Sequence, residues 1–219
     1  MISNDLIERF EEAFKDPESV KAEEYQKVIA DNAAKASENA ERLTLRLLSL
    51  TALLILVALG EVNEVGFGLG KISNQFILMS ALLILISYTH YDLVFNLSKF
   101  DQLSVIYKII IKHRHSRIHD QGLSKYFLFP PALYEYRLFS TQGTFQKIQS
   151  YIWLGEFVTI MLLIPIGTEI VGFSKLFTLQ NAEYPLLLKA SLFITVLFNL
   201  QSLFITYALF KGTKDQRGD

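Results

Sequence analysis

The chain of 219 residues contains no cysteine. Disulfide staples, thiolate metal sites and cysteine nucleophiles are therefore excluded. Proline is scarce, at five residues, so long stretches can run as uninterrupted helix. No Walker loop, dinucleotide fingerprint, nucleophile elbow or His-Glu-x-x-His pattern occurs. An ordinary enzyme reading has no motif to stand on, and the expectation is a non-enzymatic protein without a cofactor or resident metal. The first 42 residues are polar and hold no apolar h-region, so nothing resembles a cleavable signal peptide. The first apolar run is expected to act as its own membrane-targeting signal.

What the chain has in abundance is apolar sequence. Hydrophobic residues make up 51% and the mean hydropathy is +0.28, with the charge segregated rather than dispersed. That is the pattern of a membrane protein rather than of a soluble core. Four runs approach spanning length. The first covers residues 43–60, with Arg46 expected to snorkel toward the headgroups. The second covers 72–91 and stops at Asp92. The third covers 148–168 and reaches spanning length only if Glu156 is included, with Pro165 placed to kink its far end. The fourth covers about 185–210 and carries Asn199 and Gln201 inside it.

The charged segments orient these runs. Residues 1–42 hold eleven acidic and six basic side chains. Residues 99–150 hold Lys99, Lys108, Lys112, Arg114, Arg117, Lys125, Arg137 and Lys147 against only Asp101, Asp120 and Glu135. The two loops on the other side carry one lysine each, Lys71 and Lys175. By the positive-inside rule both termini and the central segment face the cytoplasm of a cell inner membrane. The predicted fold is an all-α membrane protein of four transmembrane helices in two hairpins. Its parts are a cytoplasmic acidic helical extension (1–42), a first hairpin (43–98), a basic cytoplasmic segment (99–147), a second hairpin (148–211) and a cytoplasmic tail (212–219).

Upstream of the first run, residues 3–15 read as a short amphipathic helix, broken at Asp16-Pro17. From Glu18 the chain reads as helix up to Gly60. Val20, Tyr25, Val28, Ile29, Ala33, Ala36 and Ala40 form an alanine-rich seam suited to packing or self-association. The two halves also show a weak direct likeness. Leu59-Gly60 followed by Glu64-Val65-Gly66-Phe67 resembles Ile166-Gly167 followed by Glu169-Ile170-Val171-Gly172-Phe173. Residues 127–136, aromatic and broken by Pro130-Pro131, cannot form one helix and read as a surface-lying or re-entrant elbow.

Several polar groups invite a functional reading. Glu156 lies within an apolar run, where a carboxylate costs roughly 2.5–3.5 kcal/mol at mid-membrane. It is expected either to face a bundle interior or to sit in the cytoplasmic interface. Asn199 and Gln201, together with His90 and Asp92 at the inner end of the second run, complete the candidate intramembrane polar set. Lys108, Lys112, Arg114, Arg117 and Lys125 form the candidate partner- or lipid-binding set. His115 and His119 share a helical face but lack a third ligand for zinc. Arg114-His115-Ser116-Arg117-Ile118-His119 looks like the ribonuclease motif of HEPN domains, a resemblance that implies phosphate stabilisation by Arg114 and proton transfer by His119.

At the level of layout, the span count, the size and the basic segment from Lys99 to Lys147 resemble small four-span membrane proteins of bacterial antiphage systems. Examples are the Kiwa membrane subunit and the four-span accessory proteins of Cas13b loci. The resemblance implies a homo-oligomeric sensor or effector that docks a cytoplasmic protein partner and acts on the bilayer, with nucleic acid not expected as a partner. A small ion channel or solute conduit, and a membrane-bound ribonuclease, are the alternatives.

Overall fold

The computed structural model describes residues 20–62, 64–67, 70–115, 155–179 and 185–215, with Glu12, Arg117, Ile148, Tyr151 and Ile152. The short helix expected over 3–15 (apart from Glu12), the aromatic elbow over 127–136 and Lys125 lie outside the described residues. The described residues are mostly helical, and among them four helices are long and apolar enough to cross a membrane.

Helix α1 covers Val20–Leu59, as the absence of Gly and Pro through that stretch predicts. It ends because Gly60 takes a positive φ of 82°, a conformation that costs glycine little. The Gly60 amide reaches the Val57 carbonyl and the Glu61 amide the Leu56 carbonyl, which caps two otherwise unpaired acceptors in the Schellman manner. A two-stranded antiparallel hairpin follows, β1 (Val65–Phe67) and β2 (Gly70–Ile72), with Val65 opposite Ile72. Lys71 meets Glu64 at 2.9 Å across it, both side chains well exposed. This segment reads from sequence only as a Gly-rich turn.

Helix α2 covers Gln75–Arg114. Asn74 starts it by accepting the Ile77 amide on its side-chain oxygen, the usual satisfaction of a first-turn donor. Forty residues at 1.5 Å each make α1 and α2 about 60 Å long along their axes, twice a hydrocarbon core of about 30 Å. Helix α3 covers Gly155–Thr178. It contains a π-helical segment, Thr159–Leu163, and continues as α-helix over Ile164–Thr178. Pro165 falls in the first turn after the π segment, and its missing N–H removes one donor from the helical ladder there. The helix continues past Thr168, where the run expected over 148–168 closes, as far as Thr178. Helix α4 covers Pro185–Asp215.

The chain divides into two compact units. One comprises Met1–Glu41, Phe95–Leu154 and Ile205–Asp219. In it Ile110 of α2 is fully buried and packs with Ile106 and with Ile29 of α1. Ala33, Ala36 and Ala40 of the alanine seam are buried within the chain, whereas Tyr25 and Val28 of the same predicted seam are exposed. The small residues thus serve packing inside one molecule.

The other unit comprises Arg42–Val94 and Gly155–Phe204. Its core holds Leu47, Leu54, Leu78, Met79, Leu82, Leu83 and Ile86. Gln75 donates its side-chain amide to the Val57 carbonyl at 2.8 Å, tying the start of α2 to the end of α1. Gly172 of α3 fits against α1 and α2, where an added Cβ would lie 2.8 Å from Leu83 Cδ2 and 3.1 Å from Leu54 Cδ2. The matching strings noticed in the two halves fold differently. Glu64–Phe67 leads into and forms strand β1, whereas Glu169–Phe173 is the middle of a helix.

Candidate functional site

Helix α4 shows most plainly what kind of surface surrounds the second unit. Its buried positions include Ser191, Thr195 and Ser202, while Leu186, Phe193, Val196, Leu197, Leu200, Leu203 and Phe204 are exposed. Small hydroxyl residues face inward and large apolar ones outward. Water would favour the reverse; a lipid surround favours this arrangement, because helix association there rests on close packing and hydrogen bonds rather than on burying apolar area. Helix α3 buries Thr168, Glu169 and Gly172 together with the apolar Phe157, Met161, Pro165 and Leu176, and exposes Leu163, Ile170, Val171 and Phe177.

Inside that frame Glu169 is 5% exposed. Ser87 of α2 lies with its hydroxyl 2.8 Å from Glu169 Oε1. The same hydroxyl is also 2.8 Å from the Leu83 carbonyl one turn back. A hydroxyl has one proton to donate, so Ser87 cannot serve both acceptors at once. Asn199 of α4 donates its Nδ2 to Glu169 Oε2. Phe198 beside it packs edge-on against Tyr88, with ring centroids 5.6 Å apart, and at the same distance from Tyr91. These rings hold α4 in register with α2, and the Gly172 contact holds α3 against Leu83, one helical turn before Ser87.

His90 is 1% exposed. The Asn199 side chain and the Met161 backbone are the polar groups that act on its ring. Neither ring nitrogen completes a well-formed hydrogen bond with the protein, and the Asn199 side-chain oxygen is likewise unsatisfied. Met161 lies within the π segment, where the widened turn disturbs the backbone ladder, and such bulges recur at functional sites. The Thr89 and Thr195 hydroxyls are also buried without partners. The arrangement is a polar centre of four side chains from three helices, with one carboxyl and one imidazole in it.

Of the residues singled out from sequence, His90 and Asn199 belong to this centre. Asp92 is half-buried two residues beyond His90. Glu156 and Gln201 are exposed and lie outside it. Glu169, named only in the likeness between the two halves, is not singled out as an intramembrane carboxylate because the third apolar run is read as closing at Thr168. The available signal was the apolar sequence continuing through Ile170, Val171, Phe173, Leu176 and Phe177.

Among the basic residues, Lys108, Lys112 and Arg117 are exposed. Arg114 is not: its side chain is only 16% exposed, and its guanidinium reaches Glu23 and Gln26 of α1, each at 3.3 Å. The acidic N-terminal half of α1 therefore meets the basic end of α2 within one chain. Arg114 is committed to that contact, and His119, its partner in the ribonuclease-like pattern, lies outside the described residues. Among the described residues no three His, Asp or Glu side chains gather in a metal-binding arrangement. No family model, curated protein or solved structure matches the chain.

Proposed function

We propose that this is a non-enzymatic multi-pass protein of a bacterial inner membrane, with both termini and the basic segment on the cytoplasmic side. It works as an oligomeric sensor or effector in a defence or signalling system, and its intramembrane polar centre is the responsive part. The observation that carries this reading is Glu169: a carboxyl enclosed by helices that turn apolar side chains outward, held by Ser87 and Asn199. A group costing roughly 2.5–3.5 kcal/mol to place there is retained for a role in ion or proton handling far more often than for packing. The exposed Lys108, Lys112 and Arg117 supply the surface for a cytoplasmic partner or anionic headgroups.

A conduit is the second reading, favoured by the polar line Ser191, Thr195, Asn199 and Ser202 along the inner side of α4. Reconstitution into dye-loaded vesicles tests both. Ion or proton leakage that is lost in Glu169→Gln and kept in Glu156→Gln supports a membrane-acting protein built on this centre. Absence of leakage from the assembled wild-type protein, with or without its cytoplasmic partner, rejects the membrane-acting role.

A further inference from the structure

The hydroxyl of Ser87 fixes the proton count at Glu169. Ser87 Oγ lies 2.8 Å from the Leu83 carbonyl on its own helix and 2.8 Å from Glu169 Oε1 on α3. Both separations are hydrogen-bond lengths for an O–H donor, and a serine hydroxyl has one proton. With a carboxylate at 169, one of the two contacts would set oxygen against oxygen with no proton between them. With a carboxylic acid both are filled: Glu169 donates from Oε1 to Ser87, and Ser87 donates to Leu83. Asn199 then donates its Nδ2 to Oε2, the carbonyl oxygen of the acid. Turning the Asn199 amide over changes nothing, because its oxygen against Oε2 would also need a proton between the two.

No described side chain supplies a compensating cation. Helix α1 has no ionisable residue over 47–60. On α2, Tyr88 and Tyr91 pack on Phe198, neither ring nitrogen of His90 is hydrogen-bonded, and Asp92 is itself acidic. On α3 Glu156 and Lys175 are exposed, and on α4 Lys189 and Tyr207 are exposed. Arg42, Arg46 and Lys71 are exposed as well. A carboxylate as enclosed as Glu169 and without an ion-pair partner carries a heavy desolvation cost, whereas a hydrogen-bonded acid does not.

We infer that Glu169 is a proton-binding site, loaded with one proton in this arrangement, with Ser87 as the acceptor that holds the proton and Asn199 as the donor that fixes the carbonyl oxygen. This deepens the reading above by naming the ligand of its polar centre. On release the O–H bond at Oε1 breaks and the proton passes to water. Ser87 then turns its own proton from Leu83 to the carboxylate. An uncompensated charge is left between α2 and α3, which draws in water or parts the helices. Proton loading therefore controls how tightly α3 packs on α2, one turn from the contact of Gly172 with Leu83.

Glu169→Gln reproduces the protonated form, offering an N–H to Ser87 and a carbonyl to Asn199. In the purified full chain it should melt at or above the wild-type temperature in detergent. Wild type should lose stability as pH rises through release of this proton, because the folded state binds it more tightly than the unfolded chain; Glu169→Gln should lose that dependence. Infrared difference spectroscopy reads the proton itself. At about pH 6, where exposed carboxyls are ionised, wild type should show one protonated-carboxyl C=O band per protomer. Glu169→Gln should remove the band, and Asn199→Ala should move it to higher wavenumber as the carboxyl loses a hydrogen bond. Absence of the band at that pH, its one-for-one loss on adding Na+ at constant pH, or a Glu169→Gln chain no more stable than Glu169→Ala would each overturn the inference. Vesicle leakage is a separate measurement: a band without leakage keeps the proton site and rejects the membrane-acting role, and leakage without a band does the reverse.

Discussion

Asn199 on α4 donates its side-chain amide to Oε2 of Glu169 on α3, thirty residues earlier in the chain. This bond joins two helices at a point where neither would otherwise tolerate a polar side chain. Asn199→Ala removes the donor and leaves a buried carboxyl oxygen unsatisfied. The expected loss of stability is about 1–3 kcal/mol, read as a lower Tm in detergent. Asn199→Asp, which places a second carboxyl against the first, should be the more damaging change.

Gly172 sets how closely α3 approaches Leu83 and Leu54. Gly172→Leu has no space on that side and should destabilise by about 3 kcal/mol, the upper end for overpacking a tight core. Replacing Leu83 by Ala in the same chain removes the nearest atoms and should recover part of the loss. A double-mutant cycle on thermal stability measures the coupling, and purely additive effects would show that the two side chains do not share this space.

The contact of Arg114 with Glu23 and Gln26 separates two roles of the basic segment. Glu23 is largely exposed, so the ion pair is screened, and Arg114→Ala should cost only about 0.5–1 kcal/mol. Arg114→Glu should loosen α1 from α2 and speed proteolysis near residue 23. Arg117 is exposed, so Arg117→Glu should leave the fold intact. If the segment docks a partner or anionic lipid, sedimentation with anionic vesicles or with the partner should weaken in Arg117→Glu while the melting curve stays unchanged.

The outward faces of α3 and α4 test the lipid surround. Leu200 is exposed near the middle of its apolar stretch. Leu200→Lys should impair membrane insertion by about 2.5–3.5 kcal/mol on a translocon scale, visible as a drop in the inserted fraction in a glycosylation-mapping assay. Glu156→Gln alters an exposed group near the start of α3 and should change stability by no more than about 0.5 kcal/mol.

Much of the architecture was legible in the sequence. The uninterrupted helix from residue 20 to Leu59, its stop at Gly60, and four apolar helices of spanning length follow from backbone conformation and hydropathy, which act locally. The opposite charges of the two segments were plain in the sequence, but only the structure shows that Arg114 meets Glu23. The polar centre was only half legible. His90 and Asn199 stand out as polar residues in apolar runs, but Glu156 was the carboxylate that drew notice, because the run as first bounded includes it and closes before Glu169. Which of two glutamates is enclosed depends on helix rotation, and the helix that carries both contains a π segment between them that shifts the faces.

Composition and hydropathy alone determined that this chain builds long apolar helices flanked by charged ends, because each residue's transfer preference is its own property. Only the tertiary structure decided that Glu169 rather than Glu156 faces inward, that Gly172 supplies the space beside it, and that Ser87 and Asn199 close on one carboxyl. Those outcomes depend on the register between helices far apart in sequence, which close packing and hydrogen bonding select together.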